Sequence, residues 1–346
     1  MNSRDRMLAA CRQEPVDQTP VWFMRQAGRY LSGYKEIRAS HSIIEICKTP
    51  SICETVTVMP VKELGVDAAV MFSDIMLPLE GIGIKFEIEE NIGPVIQNPL
   101  RSSEDVRSLG TFNPSQQMPF FSESIRRVKE HLQPTKQAVI GFSGAPFTLA
   151  SYIVEGRPSR DFTQVKKLMY SDKVAWDALM SKLADIVFDY LAFQIGAGVD
   201  IVQIFDSWVG ALSAYDYAEF VAPYTGSILD RLRSDFPDTP TIHFGTNTAH
   251  LLGEIYRIAS SNVFSLDWRI SISEARKILG KSGVQGNLDP VVLLCADRDF
   301  ISKRVQRVID DNQGEKGHIF NLGHGILKDT PVENARYVVN YVHENT

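Results

Sequence analysis

Eight short runs rich in β-branched and aromatic residues recur along the chain, separated by segments of helix length. This alternation restricts the fold more than any other feature. The runs fall at 21–24, 68–72, 138–142, 201–205, 241–244, 263–266, 283–285 and 319–322. An open sheet seldom needs so many equal units, so the pattern predicts an α/β fold, one parallel (β/α)8 barrel of the TIM type. At 346 residues the chain could hold two average domains, yet a barrel with long loops takes up the whole of it. The expectation is therefore a single domain, 1–346.

Between the runs the helical period is plain. Across 176–194, Trp176, Leu179, Met180, Leu183, Val187, Tyr190, Leu191 and Gln194 follow spacings of three and four. Asp177, Ser181, Lys182, Asp185 and Asp189 fill much of the opposite face. Such a stripe reads as packing, not as a cofactor box. Helices are also expected over 122–131, 215–233, 249–259, 273–279 and 331–341, the last with Pro331 in its first turn. Two stretches exceed the regular unit. The segment 82–96 alternates around Glu89-Glu90-Asn91 and predicts a hairpin inserted after the second strand. The connection 25–60 is long and partly polar, and predicts a loop with extra helices at the barrel mouth.

Charge and cysteine content set outer limits. There are 36 Lys and Arg against 42 Asp and Glu, a formal charge of -6, with no dense basic tract or basic-aromatic strip. Nucleic acid is thus not an expected partner. An acidic total does not exclude an anionic ligand, because binding follows the local field. No stretch of about 20 apolar residues is present and residues 1–17 lack a signal-peptide core, so a cytoplasmic location without membrane insertion is expected. Cys11, Cys47, Cys53 and Cys295 form no C-x2-C pair. They read as buried thiols in a reducing compartment, with neither metal nor cofactor expected.

Polar residues stand at the ends of the runs: Arg25, Asp74, Ser143, Asp206, Ser207, Thr246, Asn247, Asp267, Asn287 and His324. Barrel chemistry assembles at C-terminal strand ends, where residues far apart in sequence converge. The sharpest local feature is Met24-Arg25-Gln26-Ala27-Gly28-Arg29-Tyr30. If this segment is helical, Arg25 and Arg29 project on one side, four residues apart. Two guanidinium forks suit a ligand with several carboxylates, and Gln26 adds directed donors. Ordinary surface pairing with Asp or Glu is the plainer alternative. Asp74 follows an apolar strand and reads either as a cap or as an anion in a cleft, able to accept N–H bonds and face developing positive charge. His324, between Gly323 and Gly325, could orient a carboxylate or be a structural imidazole. The glycine-rich segment Gly141-Phe142-Ser143-Gly144 lacks a phosphate-loop lysine; it predicts a turn that aims Tyr152 at the mouth. Tyr152 and Ser207 supply neutral hydrogen bonds, with no activating base in sight.

Taken together these segments resemble the uroporphyrinogen decarboxylase family. The matching blocks are Pro20-Val21-Trp22-Phe23-Met24-Arg25-Gln26-Ala27-Gly28-Arg29-Tyr30, Phe72-Ser73-Asp74-Ile75, and Gly141-Phe142-Ser143-Gly144-Ala145-Pro146-Phe147-Thr148-Leu149. Phe205-Asp206-Ser207-Trp208, Gln285-Gly286-Asn287-Leu288-Asp289-Pro290 and Phe320-Asn321-Leu322-Gly323-His324-Gly325 follow in the family's order. The resemblance implies a homodimeric barrel of tetrapyrrole biosynthesis that decarboxylates the four acetate arms of uroporphyrinogen III, giving coproporphyrinogen III. It implies that Arg25 and Arg29 bind substrate carboxylates and are candidates for proton delivery. Asp74 would bind the pyrrole N–H groups, with Tyr152, Ser207 and His324 as positioning contacts. Gln26 and the backbone around Phe142 are further pocket candidates. The chain departs from the family pattern at Ser32-Gly33, where Pro-Glu is common, at Phe147, often tryptophan, and at Lys328, often proline.

Two competing readings remain. A zinc-dependent methyltransferase of related architecture would use a His-x-Cys site, but His243 is followed by Phe244 and Gly245, and Cys295 is the one cysteine after Cys53. A non-catalytic tetrapyrrole-binding protein on the same fold would keep the charged residues without turnover.

Overall fold

Seven parallel strands form one curled sheet in the computed structural model, which describes residues 1–89 and 92–346. Glu90 and Asn91, at the centre of the alternating segment, lie outside the described residues. The strands are β1 (Ala68–Val70), β4 (Ala138–Gly144), β5 (Ile201–Asp206), β6 (Thr241–Gly245), β7 (Val263–Ser265), β8 (Gly283–Gln285) and β9 (His318–Ile319), neighbours in that order. β2 (Phe86–Glu89) and β3 (Gly93–Ile96) pair antiparallel in a separate ribbon between β1 and β4 in sequence. Each sheet strand lies beside the one before it, as helical crossovers require.

The first and last expected strands are shorter than their patterns suggest. Segment 21–24 contributes one parallel bridge, Val21 to Phe320, and 319–322 continues past β9 by that bridge and by Leu288 to Leu322. Side chains take over where the ladder stops. Gln26 Oε1 accepts the Phe23 N–H at 3.0 Å and Asn321 Oδ1 accepts the Met24 N–H at 3.0 Å. β1 ends in the same way, with Thr57 Oγ1 accepting the Phe72 N–H at 2.9 Å. Buried amides must find partners, and here they find side chains instead of strands.

Segment 20–24 is nonetheless held on both sides. The Phe320 N–H donates to Pro20 O at 2.9 Å and the Asp67 N–H to Val21 O at 2.8 Å. The Asp67 carboxylate accepts the Val21 N–H at 2.8 Å, Arg6 Nη1 at 2.6 Å and His343 Nε2 at 2.8 Å. One buried anion thus fastens an N-terminal helix, β1, segment 20–24 and the last helix, Val332–Glu344. Inside the sheet's curl, Trp22 Nε1–H donates to Gln285 Oε1 at 2.9 Å, and Gln285 Nε2 donates to Gln203 Oε1 at 3.1 Å and Ser265 Oγ at 2.9 Å. Side chains from segment 20–24 and from β5, β7 and β8 therefore meet across the interior.

Helices cover the outside of the sheet. Lys173–Ala197 extends the expected helix at both ends and buries more than one stripe, because it packs against β4 and the helices Pro119–Leu132 and Ala222–Asp235. The helix expected at 215–233 is two, Ala214–Phe220 and Ala222–Asp235, since Pro223 lacks an amide donor and opens the second one. Segment 249–259 begins as a 3-10 turn, Ala249–Leu251, before Leu252–Ile258. Pro331 caps the last helix from outside its first turn, one position earlier than expected. Within 25–60, the helices Ser32–Ser40, Ile43–Lys48 and Pro50–Leu64 occupy most of the long connection. The middle one opens on a reciprocal capping box between Ser42 and Glu45.

Candidate active site

A cavity of about 370 Å³ opens where β1, β4 and β5 end, within the usual range for small-molecule sites. Arg25, Gln26, Arg29, Asp74, Phe142, Tyr152 and Ser207 all line it. Seven residues singled out from four separate stretches of sequence thus converge on one space.

The arginines do so by a route the sequence did not suggest. Residues 25–31 are turns, not a helix, and Arg25 itself sits in the left-handed region at φ 60°. That conformation costs a non-glycine residue about 1 kcal/mol. Two glycines allow it. A Cβ on Gly28 would lie 2.9 Å from Arg25 O, and one on Gly325 would press into the Arg25 side chain. Arg25 and Arg29 are both exposed, and no side chain among the described residues forms an ion pair with either. Surface pairing, the plainer reading of these two charges, is set aside.

Asp74 is half-buried, open to the cavity and enclosed behind. Its Oδ1 accepts the Met76 N–H at 2.8 Å, which leaves Oδ2 without a protein donor among the described residues. Burial raises its pKa above the ordinary carboxylate value, and the Met76 N–H and the Arg25 charge pull it partway back. It is the one carboxylate among the described lining residues, facing two cations from the first loop.

Gln26 and Phe142 line the cavity while also holding the backbone around it. The Gln26 side chain is fully buried, its Oε1 on the Phe23 N–H and its Nε2 donating to Ala68 O at 2.8 Å. These two bonds pin the loop that carries Arg25 and leave one amide N–H of Gln26 without a protein acceptor among the described residues. The Phe142 backbone is equally committed: its N–H donates to Gln194 Oε1 and its carbonyl accepts from Gln194 Nε2, both at 2.9 Å. What Phe142 presents is its ring, set edge-on to Phe205 at 5.4 Å. Gln194 is therefore a positioning residue that periodicity had counted as packing.

Tyr152 stands on the helix Pro146–Glu155, its ring 6.0 Å from Trp208, and burial raises its pKa. His324 is set back from the cavity wall, its ring 6.1 Å from that of Phe244. Burial first, then the Arg25 charge, lower its pKa to about 4, so it is neutral in ordinary buffers. Asp206, Asn247, Asp267 and Asn287 make contacts away from this lining. Asp206 contacts Thr148 Oγ1 at 3.4 Å and His243 Nε2 at 3.6 Å, and Asn287 Nδ2 donates to Asp267 O at 2.9 Å and Ile270 O at 2.6 Å. Asp267 accepts from Arg269 and the Asn247 amide. These residues tie loops together.

The sequence reading missed most of the apolar wall: Trp22, Tyr30, Tyr34, Phe72, Ile75, Pro94, Phe205 and Ile326 line the cavity too. Several of these sit inside the motif blocks, but an apolar residue gives no sign of facing a cavity rather than a core. Among the described residues no group of three or more His, Cys, Asp or Glu side chains is arranged to hold a metal, and no helix is long and apolar enough to cross a membrane.

Fold and cavity define a parallel α/β protein whose strand ends present an aromatic cleft, with unpaired cations at its edge and one carboxylate within. Solved structures of this fold include a methyltransferase from Methanosarcina mazei, at TM-score 0.78 and 17% identity over 99% of both chains. A B12-independent methionine synthase from a Shewanella species matches at TM-score 0.59 and 11% identity, covering 88% of this chain and 89% of that one. At such identities they share the architecture alone. Sequence relatives are far nearer. The uroporphyrinogen decarboxylase (URO-D) profile matches residues 2–345, and the chain belongs to that family. Proteins named uroporphyrinogen decarboxylase from Carboxydothermus hydrogenoformans and Thermus thermophilus are each 48% identical to it, over 98% of this chain and 96% and 98% of theirs.

Proposed function

We propose that this chain is a carboxy-lyase that decarboxylates uroporphyrinogen in tetrapyrrole biosynthesis, converting the four acetate arms of the III isomer to methyl groups. The observation that carries this reading is the opposition of charge in one cleft. Among the described residues no carboxylate pairs with Arg25 or Arg29, and Asp74 keeps one oxygen without a protein donor among aromatic walls.

The chemistry fits those charges. An acetate on a saturated carbon cannot lose CO2 directly, because the electron pair left behind has nowhere to go. Protonation of the pyrrole ring carbon next to the arm makes the ring electron-poor. The C–CO2 bond then breaks, its electrons neutralise the ring, and CO2 leaves. A proton adds to the exocyclic methylene and the first proton departs from the ring carbon. The balance is one acetate arm and one proton giving one methyl and one CO2, so the macrocycle supplies its own electron sink.

Each side chain has a matching task. Asp74 accepts pyrrole N–H bonds and stabilises the cationic ring; a preorganised partner of this kind is worth about 3 kcal/mol in the transition state. Arg25 and Arg29 hold peripheral carboxylates through charge-assisted bonds. With an ordinary arginine pKa of about 12.5 or above, neither is a ready acid, and a water or hydronium held by the network is the better donor. Tyr152 and Ser207 orient the macrocycle, with His324, neutral, as a further positioning contact behind them.

The same reading takes segment 20–24 as the eighth stave of a closed barrel, the β2–β3 ribbon as an insertion in a single domain, and the protein as a cytoplasmic homodimer without cofactor. Backbone bonds from segment 20–24 to both Asp67 and Phe320 support the closure. Anaerobic incubation with chemically reduced uroporphyrinogen, with CO2 and the successive porphyrins quantified after oxidation, tests the activity. Tight binding without CO2 would replace it with a tetrapyrrole-binding role. Mass measured over a range of concentrations tests the dimer.

A further inference from the structure

Lys328 is the third cation on the cavity wall, beside Arg25 and Arg29. It belongs to the loop between β9 and the helix Val332–Glu344, and that loop is fastened. The Ile326 N–H donates to Met24 O at 2.8 Å, the Thr330 N–H to Leu327 O at 3.2 Å, and Gly325 packs on the Arg25 side chain. The lysine is thus presented from a fixed backbone next to the arginine loop. Its partner within the protein is weak. Nζ stands 3.7 Å from Asp329 Oδ2, and the two side chains are 60% and 74% exposed. A pair so open to water holds its charges loosely. Among the described lining residues, three cations stand with the single carboxylate of Asp74.

We propose that Lys328 forms an additional carboxylate-binding subsite at the cavity edge, taking a peripheral acid arm of the macrocycle beyond those held by Arg25 and Arg29. The inference rests on the uroporphyrinogen reading and deepens it by naming a residue that sets selectivity. A flexible ammonium at the edge contributes to holding the ligand rather than to the bond-breaking step, so its contribution belongs in KM and not in kcat. Each acid arm converted to methyl removes a group that Lys328 could grip. Where the gripped arm is an acetate, the lysine therefore favours the fully carboxylated substrate over its partly decarboxylated intermediates.

Steady-state kinetics of full-length wild type, Lys328→Gln, Lys328→Glu and Lys328→Arg on reduced uroporphyrinogen and on its isolated intermediates test this. Turnover by the wild type establishes the parent reading independently; only the comparison among variants bears on the lysine. In Lys328→Gln the KM for the fully carboxylated substrate should rise about three- to fivefold, as expected for a half-exposed ion pair, with kcat within about twofold. Lys328→Glu should raise it further and Lys328→Arg should recover most of the loss. The wild-type KM should also climb more steeply with salt than that of Lys328→Gln. Unchanged KM in Lys328→Gln, a loss confined to kcat, or an equal loss in Lys328→Arg would each overturn the subsite.

Discussion

Replacing Asp74 with asparagine isolates its charge. The amide oxygen can keep the Met76 N–H bond now made at 2.8 Å, so the loop should hold its shape. What changes is the atom facing the cavity, where an NH2 donor replaces a carboxylate oxygen. Pyrrole N–H groups would then meet a donor, and the cationic ring would lose the one negative side chain among the described residues of the cavity wall. Loss of a preorganised electrostatic partner costs about 3 kcal/mol of transition-state stabilisation, or about 150-fold in turnover. Because burial already disfavours the ionised carboxyl, folding stability should not fall, and the unfolding midpoint should match the wild type or exceed it. The assay is anaerobic turnover of reduced uroporphyrinogen with porphyrins separated after oxidation, alongside circular dichroism. Turnover within about threefold of the wild type in a folded Asp74→Asn protein would refute the electrostatic role assigned here.

Other perturbations bear on the supporting structure. Arg25→Ala and Arg29→Ala should each lower kcat/KM by about tenfold to a hundredfold, the worth of charge-assisted bonds. In Arg25→Ala the acid limb of the pH profile should also move to higher pH, since the Arg25 charge is one of the forces that lower the raised pKa of Asp74. His324→Asn should have a smaller effect than Asp74→Asn, because the imidazole stands behind the wall and is neutral above about pH 4. Gly28→Ala, whose methyl would lie 2.9 Å from Arg25 O, should reduce kcat/KM about tenfold while the protein stays folded, as kinetics and calorimetry together would report. Asp67→Asn should destabilise the fold by about 3 kcal/mol, as loss of one partner in a buried ionic cluster does. Burial opposes the Asp67 charge, yet the His343 and Val21 bonds hold its pKa below normal. Its stabilisation is therefore present above about pH 4 and fades as pH falls, so denaturant curves of mutant and wild type should converge in acid.

How much of this could be read beforehand depended on whether a residue's role left a mark on its type. The strand-and-helix rhythm announced the parallel sheet because burial on both faces forces continuous apolar runs. Segments 21–24 and 319–322 carried the same mark, yet their backbone amides turn to Gln26 and Asn321, an exchange no hydrophobic pattern encodes. Arg25, Arg29 and Asp74 stood out because unpaired charge beside apolar runs is costly without a ligand. Helical spacing is not what brings the two arginines to one cavity: the left-handed turn at Arg25 and two close-packed glycines do. Gln194 and the aromatic walls stayed silent, since facing a cavity and facing a core ask for the same residues. Lys328 was noticed as a loop departure, and only its place on the wall gave that departure chemical meaning.

The clasp around Asp67 has a consequence for synthesis. The Val21 strip is gripped by Phe320 on one flank, and the anion on its other flank is shared with His343, so partners for a segment made first emerge from the ribosome last. Arg25 and Arg29, just beyond that strip, should stay unplaced while most of the chain is already folded. A nascent protein stalled before residue 320 would hold the carboxylate of Asp74 but not the grip for its ligand, and would be recognisable as a tetrapyrrole-blind, protease-sensitive species.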